Sequence, residues 1–498
     1  MVYLETRGKV SLHSKDGMPV SKLLTHRLPM SSMTQGDLHD NPQTLGMAGF
    51  VSHLQYEAIP KDVLQRIKLL MLDSIGCALY GSDLPWTRIL QQTLGEHDMS
   101  QGCAIWGTRQ RLSAPHAALV NGTQIQGFEL DDVHRQGVMH VGAVVLPALV
   151  AIAETRPGMT GTDFLAAAVA GYETGPRVGI CMGQEHIAQG WHSGATLGVF
   201  SAAAGAARAL KLNTDQTVHA LGIAGTQSAG LMAAQYGAMV KRMHAGRASQ
   251  SGLYGALFAE RGLTGIVNVF ESEYGGFCST FSRSNDRFNL AELTAGFGDV
   301  WQTMGIALKF YSCVGSNHST LDAIRLMQQE RHFGADEVKR IIVNGSQVTM
   351  DHVGWTYSPQ GLTSAQLNLP YCVATWLLEG DCFVEQFTEA MVADPQRMRV
   401  AKKVEVRHDA EITARGSKFR HMVRVECELN DGTRMSRVVE AGRGNEKNFA
   451  SEADVVEKFY KLAARAISKS QAEQVVDWFM RLEKCTDASE LPRLLTPL

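Results

Sequence analysis

Apolar and polar residues recur along this chain with two different periods, and the change between them falls near residue 305. Before it the period is helical. Pro60 opens the run PKDVLQRIKLLMLDSIGCAL, with Asp62 in the first turn, apolar residues at 63, 64, 67, 70, 71, 75 and 79 on one stripe, and Gly81 at its end. Residues 113–126 form a second, Ala-rich helical segment, and TDFLAAAVAGYETG, TLGVFSAAAGAARALKL and TDQTVHALGIAGTQSAGL continue the pattern. Ala/Gly-rich helices with short turns predict an all-helical domain. After residue 305 the segments VKRIIVNGSQVTM, AKKVEVRHDAEI and FRHMVRVECELNDGTRMSRVVEA alternate apolar and polar positions, with Asn430-Asp431-Gly432 as a hairpin turn. Helical patterns at 316–331 and 364–379 lie among these strands, so this portion reads as a small α+β domain. Two amphipathic helices, EADVVEKFYKLAARAI and SQAEQVVDWFMRLEK, close the chain and are predicted to pack back on the helical domain.

The predicted fold class is therefore mainly α. A large helical domain is expected from 46–305 and 441–498, and a smaller α+β domain from 306–440. The first 45 residues read as an extension without stable structure. They carry Arg7, Lys9, Lys15, Lys22 and Arg27 with Pro19, Pro29 and Pro42, and Glu5 and Asp16 interrupt what would otherwise resemble a mitochondrial presequence.

Composition narrows the partner. The 47 basic residues against 50 acidic ones argue against nucleic acid or an acidic membrane surface and leave a small molecule as the expected ligand. The longest apolar run, Val141 to Ala153, is too short to span a bilayer and contains Pro147. Nine scattered cysteines without a C-x-x-C pair imply reduced thiols. A cytoplasmic protein is expected, with a mitochondrial location as the alternative.

Three clusters carry chemistry. In the stretch Gln189–Arg247, small-residue helical patterns are interrupted by Trp191-His192 and, after the second pattern, by Lys241-Arg242-Met243-His244 and Arg247. Basic side chains on a small-residue scaffold need an anionic partner when buried, and a bound polycarboxylate would be one; solvated surface charges are the plainer alternative. The second cluster, Glu129-Leu130-Asp131-Asp132-Val133-His134 with His140, brings acids and imidazoles together beside an apolar run, where a general acid or base is tuned. The third, Leu308 to His318, lies at the proposed domain boundary, with His318 opening a helix. No H-E-x-x-H, H-x-H or clustered cysteine pattern supports a metal, and no G-x-G-x-x-G, P-loop or G-x-S-x-G motif supports nucleotide binding or serine hydrolysis. Neither a metal nor a cofactor is expected.

The combination ELDDVH…H, QGWHSGAT, QYGAMVKRMHAGRA, ESEYGGF and LKFYSC…H resembles the MmgE/PrpD family from about residue 46 to the C-terminus. The resemblance implies a cofactor-independent lyase acting on a small tricarboxylate: decarboxylation of cis-aconitate to itaconate, or dehydration of 2-methylcitrate or a related 2-alkylcitrate. An epimerase also belongs to the family, and a non-catalytic carboxylate-binding protein of the same fold is the reading from another class. It further implies a homodimer and a lid role for the smaller domain. Carried over by position, the family's pocket residues are Glu129, His140, His192 and Lys241; His140, His192 and Lys241 are the catalytic candidates, and Glu129 is joined as a substrate-binding candidate by Asp131, Asp132 and Arg247 from the clusters themselves and by His318, which matches a neighbouring family histidine. Two positions depart from mammalian members: Val133 stands in place of a threonine, and Val314 in place of a histidine.

Overall fold

The computed structural model describes residues 40–498 apart from Gln184. The extension expected at 1–45 lies outside the described residues through position 39; a helix then runs Pro42–His53, pinned where Thr44 Oγ1 donates to Glu271 Oε2 at 2.6 Å. The molecule is mainly helical. Helices Lys61–Gly81, Ala114–Ile125, Gly142–Thr155, Gly161–Met182, Gly198–Ala209, Thr214–Gly225 and Val240–Glu260 follow in order. All seven positions of the apolar stripe in Lys61–Gly81 are buried.

Small residues decide how these helices meet. Helices Ala114–Ile125 and Val240–Glu260 touch backbone to backbone at Gly122 and Gly246: a β-carbon on Gly122 would stand 2.6 Å from Gly246 Cα, and one on Gly246 would stand 2.0 Å from the Leu119 carbonyl oxygen. No other residue type permits that crossing. Its consequence is positional, because Lys241 to His244 lie about one turn before Gly246, and Glu129 follows just beyond the end of the facing helix. The Lys241–His244 cluster thus opens a helix of its own. The sequence pattern placed it after the preceding one, but that helix ends at Gly225, and a 3-10 turn at Met232–Tyr236 with Gly237 at φ 119° intervenes.

In the C-terminal portion the sheet order is Val404–His408, Val338–Gly345, Val423–Leu429, Arg434–Val439. The first pair is parallel, with Ile341 opposite Val404, and the others are antiparallel. The last two strands form the hairpin expected around Asn430–Gly432, with Gly432 at φ 87°. Two expected strands are shorter than the alternating pattern suggests. Ser346 caps a helix at Gln347–Val353 by accepting from Thr349 N, and Asp409 caps one at Ala410–Ala414. These local side-chain caps end strand pairing despite the β-branched residues that follow. The helix expected at 364–379 is two, Leu362–Leu367 and Leu369–Glu379, broken at Asn368 before Pro370.

Helices Glu452–Ala463 and Lys469–Met480 start from Ser451 and Ser468 capping boxes. The first packs on Lys61–Gly81, where Lys458 Nζ lies 2.6 Å from Asp73 Oδ1, both fully buried, and also donates at 2.8 Å to the Leu130 carbonyl. The end of the chain therefore holds the segment that carries Glu129 to Asp132. Among the described residues no helix is long and apolar enough to cross a membrane.

Candidate active site

Helix Ala114–Ile125 ends in a 3-10 turn, Gln126–Phe128, and Glu129 follows in the left-handed region at φ 57°. A non-glycine residue there is uncommon and costs of order 1 kcal/mol or more unless its surroundings over-determine it. They do. Lys241 Nζ donates to Glu129 Oε1, Arg242 Nη1 donates to the same oxygen at 2.7 Å, and Lys309 Nζ donates to Oε2 at 3.4 Å. Burial pushes the Glu129 carboxyl up, but Lys241, Lys309 and Arg242 together more than offset it and hold it well below the usual carboxylate range.

Lys309 arrives by strand pairing: Val133 and His134 pair antiparallel with Ala307 and Ile306, which sets Lys309 3.6 Å from Asp131 Oδ1. Ser312 Oγ then donates at 2.9 Å to the Phe128 carbonyl, and Gln366 Nε2 donates to Phe128 O at 3.1 Å and Ser312 O at 3.0 Å. Arg242 Nη2 also reaches Gln366 Oε1 and Thr363 Oγ1, each at 3.2 Å. The C-terminal portion is thereby fastened to the turn that presents Glu129.

His140 has its Nδ1 3.0 Å from the Asp132 carbonyl and 2.9 Å from Asp131 Oδ2, so Nδ1 carries the proton and Nε2 is left for a ligand. The contact to the carbonyl has hydrogen-bond geometry; that to the carboxylate is the electrostatic one. Burial raises the Asp131 carboxyl, yet His140 and Lys309 hold it below the usual range. Asp132 differs: burial, then Asp131, push it up to about 8, even though both its oxygens face the Gly142 N–H at 3.0 and 3.1 Å. It is mostly protonated at neutral pH.

His192 faces His244, Nδ1 to Nδ1 at 3.1 Å, so the two rings share a proton. Burial, then Lys241, His244 and His140, push His192 well below the ordinary histidine value, and burial with Lys241 brings His244 down to about 4. Both are neutral at physiological pH. Gly194 lies between the imidazoles: where its β-carbon would stand, His192 Cε1 is 3.6 Å away and His140 Cδ2 is 3.9 Å away.

The structure thus brings together Glu129, Asp131, Asp132, His140, His192 and Lys241. It does not bring Arg247, which is exposed and turns its guanidinium to Gln250 on its own helix. His318 is buried with Nε2 3.2 Å from the Cys313 carbonyl, and borders a cavity of about 40 Å³ that also touches Lys309 and His421. Sequence reasoning missed Lys309, Arg242, His244 and Gln366 as members of the site. Lys309, Arg242 and His244 stood inside quoted motifs without being assigned a role, and their burial was the missing signal. The reading also found no ligand-spaced cysteines, whereas Cys313, Cys372 and Cys382 converge with Sγ atoms within 4.8 Å of one another, all buried; none of the three stands at the short spacing of a ligand motif. No cysteine is paired in a disulfide.

Three buried cations against ionised Glu129 and Asp131, with Asp132 largely protonated, leave a positive surplus in a water-poor site. Lys241 and Arg242 also stand in the first turn of a helix, where the backbone dipole favours an anion.

Comparisons with known proteins identify the family. The chain belongs to the MmgE/PrpD family: residues 46–289 match the MmgE/PrpD N-terminal domain and residues 311–482 the MmgE/PrpD C-terminal domain. It is 36% identical over 472 residues to the cis-aconitate decarboxylase-like protein oryM of Aspergillus oryzae, covering 91% of this chain and 97% of that protein. It is 33% identical over 469 residues to cis-aconitate decarboxylase of Aspergillus terreus (91% and 95% covered), and 25% identical over 467 residues to that of Mus musculus (91% and 93%).

Proposed function

We propose that this protein is a carboxy-lyase that decarboxylates cis-aconitate to itaconate at the Glu129–Lys241 site. The observation that carries the reading is the buried cation surplus beside two imidazoles: Lys241, Arg242 and Lys309 outnumber the ionised carboxylates around them. A trianionic substrate supplies the missing charge. The relatives' names support the choice of cis-aconitate.

The chemistry sets what the residues do. The bond to the departing carboxylate breaks, its electron pair forms a new terminal C=C, and the former double-bond pair moves to the carbon beside a retained carboxylate, which takes a proton. CO2 leaves, and one proton replaces it. Lys241, backed by Arg242 and Lys309, holds the retained carboxylates and the charge that develops on them. His140 delivers the proton from Nε2, with Asp131 at 2.9 Å from Nδ1 as counter-ion of the protonated ring. His192 stays neutral and orients the substrate, its tautomer fixed by His244. Glu129 keeps the cations in register, and Asp132 holds the loop through Gly142. The reaction needs no redox group or external acceptor, in keeping with the expected lack of a cofactor.

In this reading the portion from 306 to 440 acts as a lid, because Lys309, Ser312 and Gln366 reach across to the Phe128–Glu129 turn. A homodimer is in keeping with the exposed apolar side chains Leu231, Met239, Val240 and Phe258. A cytoplasmic location suits the nine unpaired cysteines.

The test is proton NMR of purified protein with cis-aconitate, citrate and 2-methylcitrate, with and without a chelator. Itaconate from cis-aconitate, unaffected by the chelator, is the expected result. Dehydration of 2-methylcitrate without itaconate would replace decarboxylation by hydro-lyase chemistry, and no turnover would leave a binding protein.

A further inference from the structure

Gln126 carries a buried donor that no described residue uses. Its side chain is 1% exposed, it sits on the turn just before Glu129, and its Oε1 accepts from the Ala245 N–H at 3.2 Å. That contact fixes which way the amide faces, because a flipped amide would set two donors against each other. Nε2 consequently points away from the Ala245 backbone and has no partner among the described residues. Burying an unmade amide donor costs about 1–3 kcal/mol, so such a group calls for an occupant.

Its surroundings identify the occupant's chemistry. The point where a β-carbon on Gly194 would stand is 3.9 Å from Gln126 Nε2, 3.6 Å from His192 Cε1 and 3.9 Å from His140 Cδ2. The absent side chain of Gly194 thus leaves room that the amide and both imidazoles border. An acceptor placed there meets an N–H from Gln126 within a site whose charge surplus is positive. Ala245, whose N–H holds the amide, directly follows His244, so the element that sets His192 also sets Gln126.

We infer that the Gln126 side-chain amide is a substrate-binding group that holds one carboxylate of the tricarboxylate between His140 and His192. The inference rests on the site being a tricarboxylate site. In it, Lys241 supplies charge at one end of the substrate and Gln126 supplies a directed neutral donor at the other, which fixes the carbon to be protonated against the imidazoles.

The experiment is isothermal titration calorimetry with tricarballylate, an inert saturated tricarboxylate, on the full-length protein and on Gln126→Glu, Gln126→Met and Gly194→Ala, with kcat and KM for cis-aconitate measured alongside. Gln126→Glu keeps an oxygen for the Ala245 N–H but turns a negative oxygen toward the ligand; affinity is expected to fall at least about 30-fold, the scale of a lost buried polar contact. Gln126→Met should weaken binding by about 10-fold through KM more than kcat. A methyl at Gly194 meets its neighbours at ordinary contact distances, so Gly194→Ala should fold, melt as wild type does, and still bind more weakly. Wild-type affinity in Gln126→Glu, or in both other variants, overturns the proposal. Wild-type protein that does not bind tricarballylate overturns it together with the reading of the site. Wild-type binding that Gln126→Glu abolishes, without any itaconate formed, upholds the Gln126 contact and removes the decarboxylase reading alone.

Discussion

Two buried glutamates in the same helical scaffold are held in opposite ways. Glu173, inside helix Gly161–Met182, has every oxygen answered by fixed groups: Thr303 N at 2.8 Å and Thr303 Oγ1 at 2.7 Å on one, Gln302 N at 2.8 Å and Arg177 at 3.4 Å on the other. Arg177 in turn donates from Nη1 to the Ala295 carbonyl and from Nη2 to the Val300 carbonyl, while its Nε has no partner among the described residues. Glu129 is surrounded by three buried cations, and Gln126 Nε2 nearby has no hydrogen-bond partner among the described residues. One cluster uses mainly neutral donors to close a loop onto a helix; the other concentrates charge around one carboxylate. Burial alone does not distinguish structure from function in this core. What distinguishes them is how the carboxylate is answered, mainly by neutral donors of a closing loop at Glu173 and by three converging cations at Glu129.

The comparison can be broken most forcefully through stability. Arg177→Met removes one partner of a buried pair and is expected to cost about 3–5 kcal/mol in chemical denaturation, while the remaining folded molecules keep wild-type turnover. Lost turnover per folded molecule would show that the Glu173 cluster is not merely structural. Lys241→Met should do the reverse: kcat/KM falls by at least about 30-fold, near 2 kcal/mol in transition-state binding, in protein that folds. Near-normal kcat/KM would remove Lys241 as the clamp.

Much of this division was legible beforehand, though unevenly. The helix Lys61–Gly81 and the Asn430–Gly432 hairpin were readable because their patterns are local, repeated and bounded by Pro and Gly. His192 and Lys241 stood out because charged or polar clusters interrupt small-residue runs, Glu129 and His140 because acids and imidazoles gather beside an apolar run, and the resemblance to the MmgE/PrpD family singled out these four. Lys309 was not readable as a site residue, since its place depends on the pairing of Val133 with Ala307, across the whole helical portion. Arg247 was misplaced for the converse reason: it shares a segment with Lys241 but points off the other side of the helix that both occupy. Ser346 and Asp409 show the same limit for strands, where one capping side chain outweighed a β-branched pattern.

Finer contrasts sharpen the picture. If His192 orients the substrate for proton delivery by His140, the double substitution His140→Gln/His192→Gln should be little worse in kcat/KM than the more harmful single one, because the second removal has little left to affect. Strictly additive losses would make them independent. The smallest effect concerns His244, whose ring should titrate near 4 in carbon-detected NMR. Since burial disfavours its charged form, the unfolded chain takes up that proton first as pH falls through about 6.5, and the group's contribution to stability declines from there to about 4. In Lys241→Met the same titration should move up, and an unchanged value would mean that the two side chains do not sense each other.

The most direct measurement is turnover of cis-aconitate in D2O, followed by proton and carbon NMR, for wild type, Lys241→Met and Arg177→Met at equal concentrations of folded protein. Wild type and Arg177→Met are expected to form itaconate carrying one deuterium on the carbon beside a retained carboxylate, and Lys241→Met to form it at least about 30-fold more slowly. Itaconate formed equally fast by Lys241→Met, or none formed by wild type, would contradict the assignment of this chemistry to the Glu129–Lys241 site.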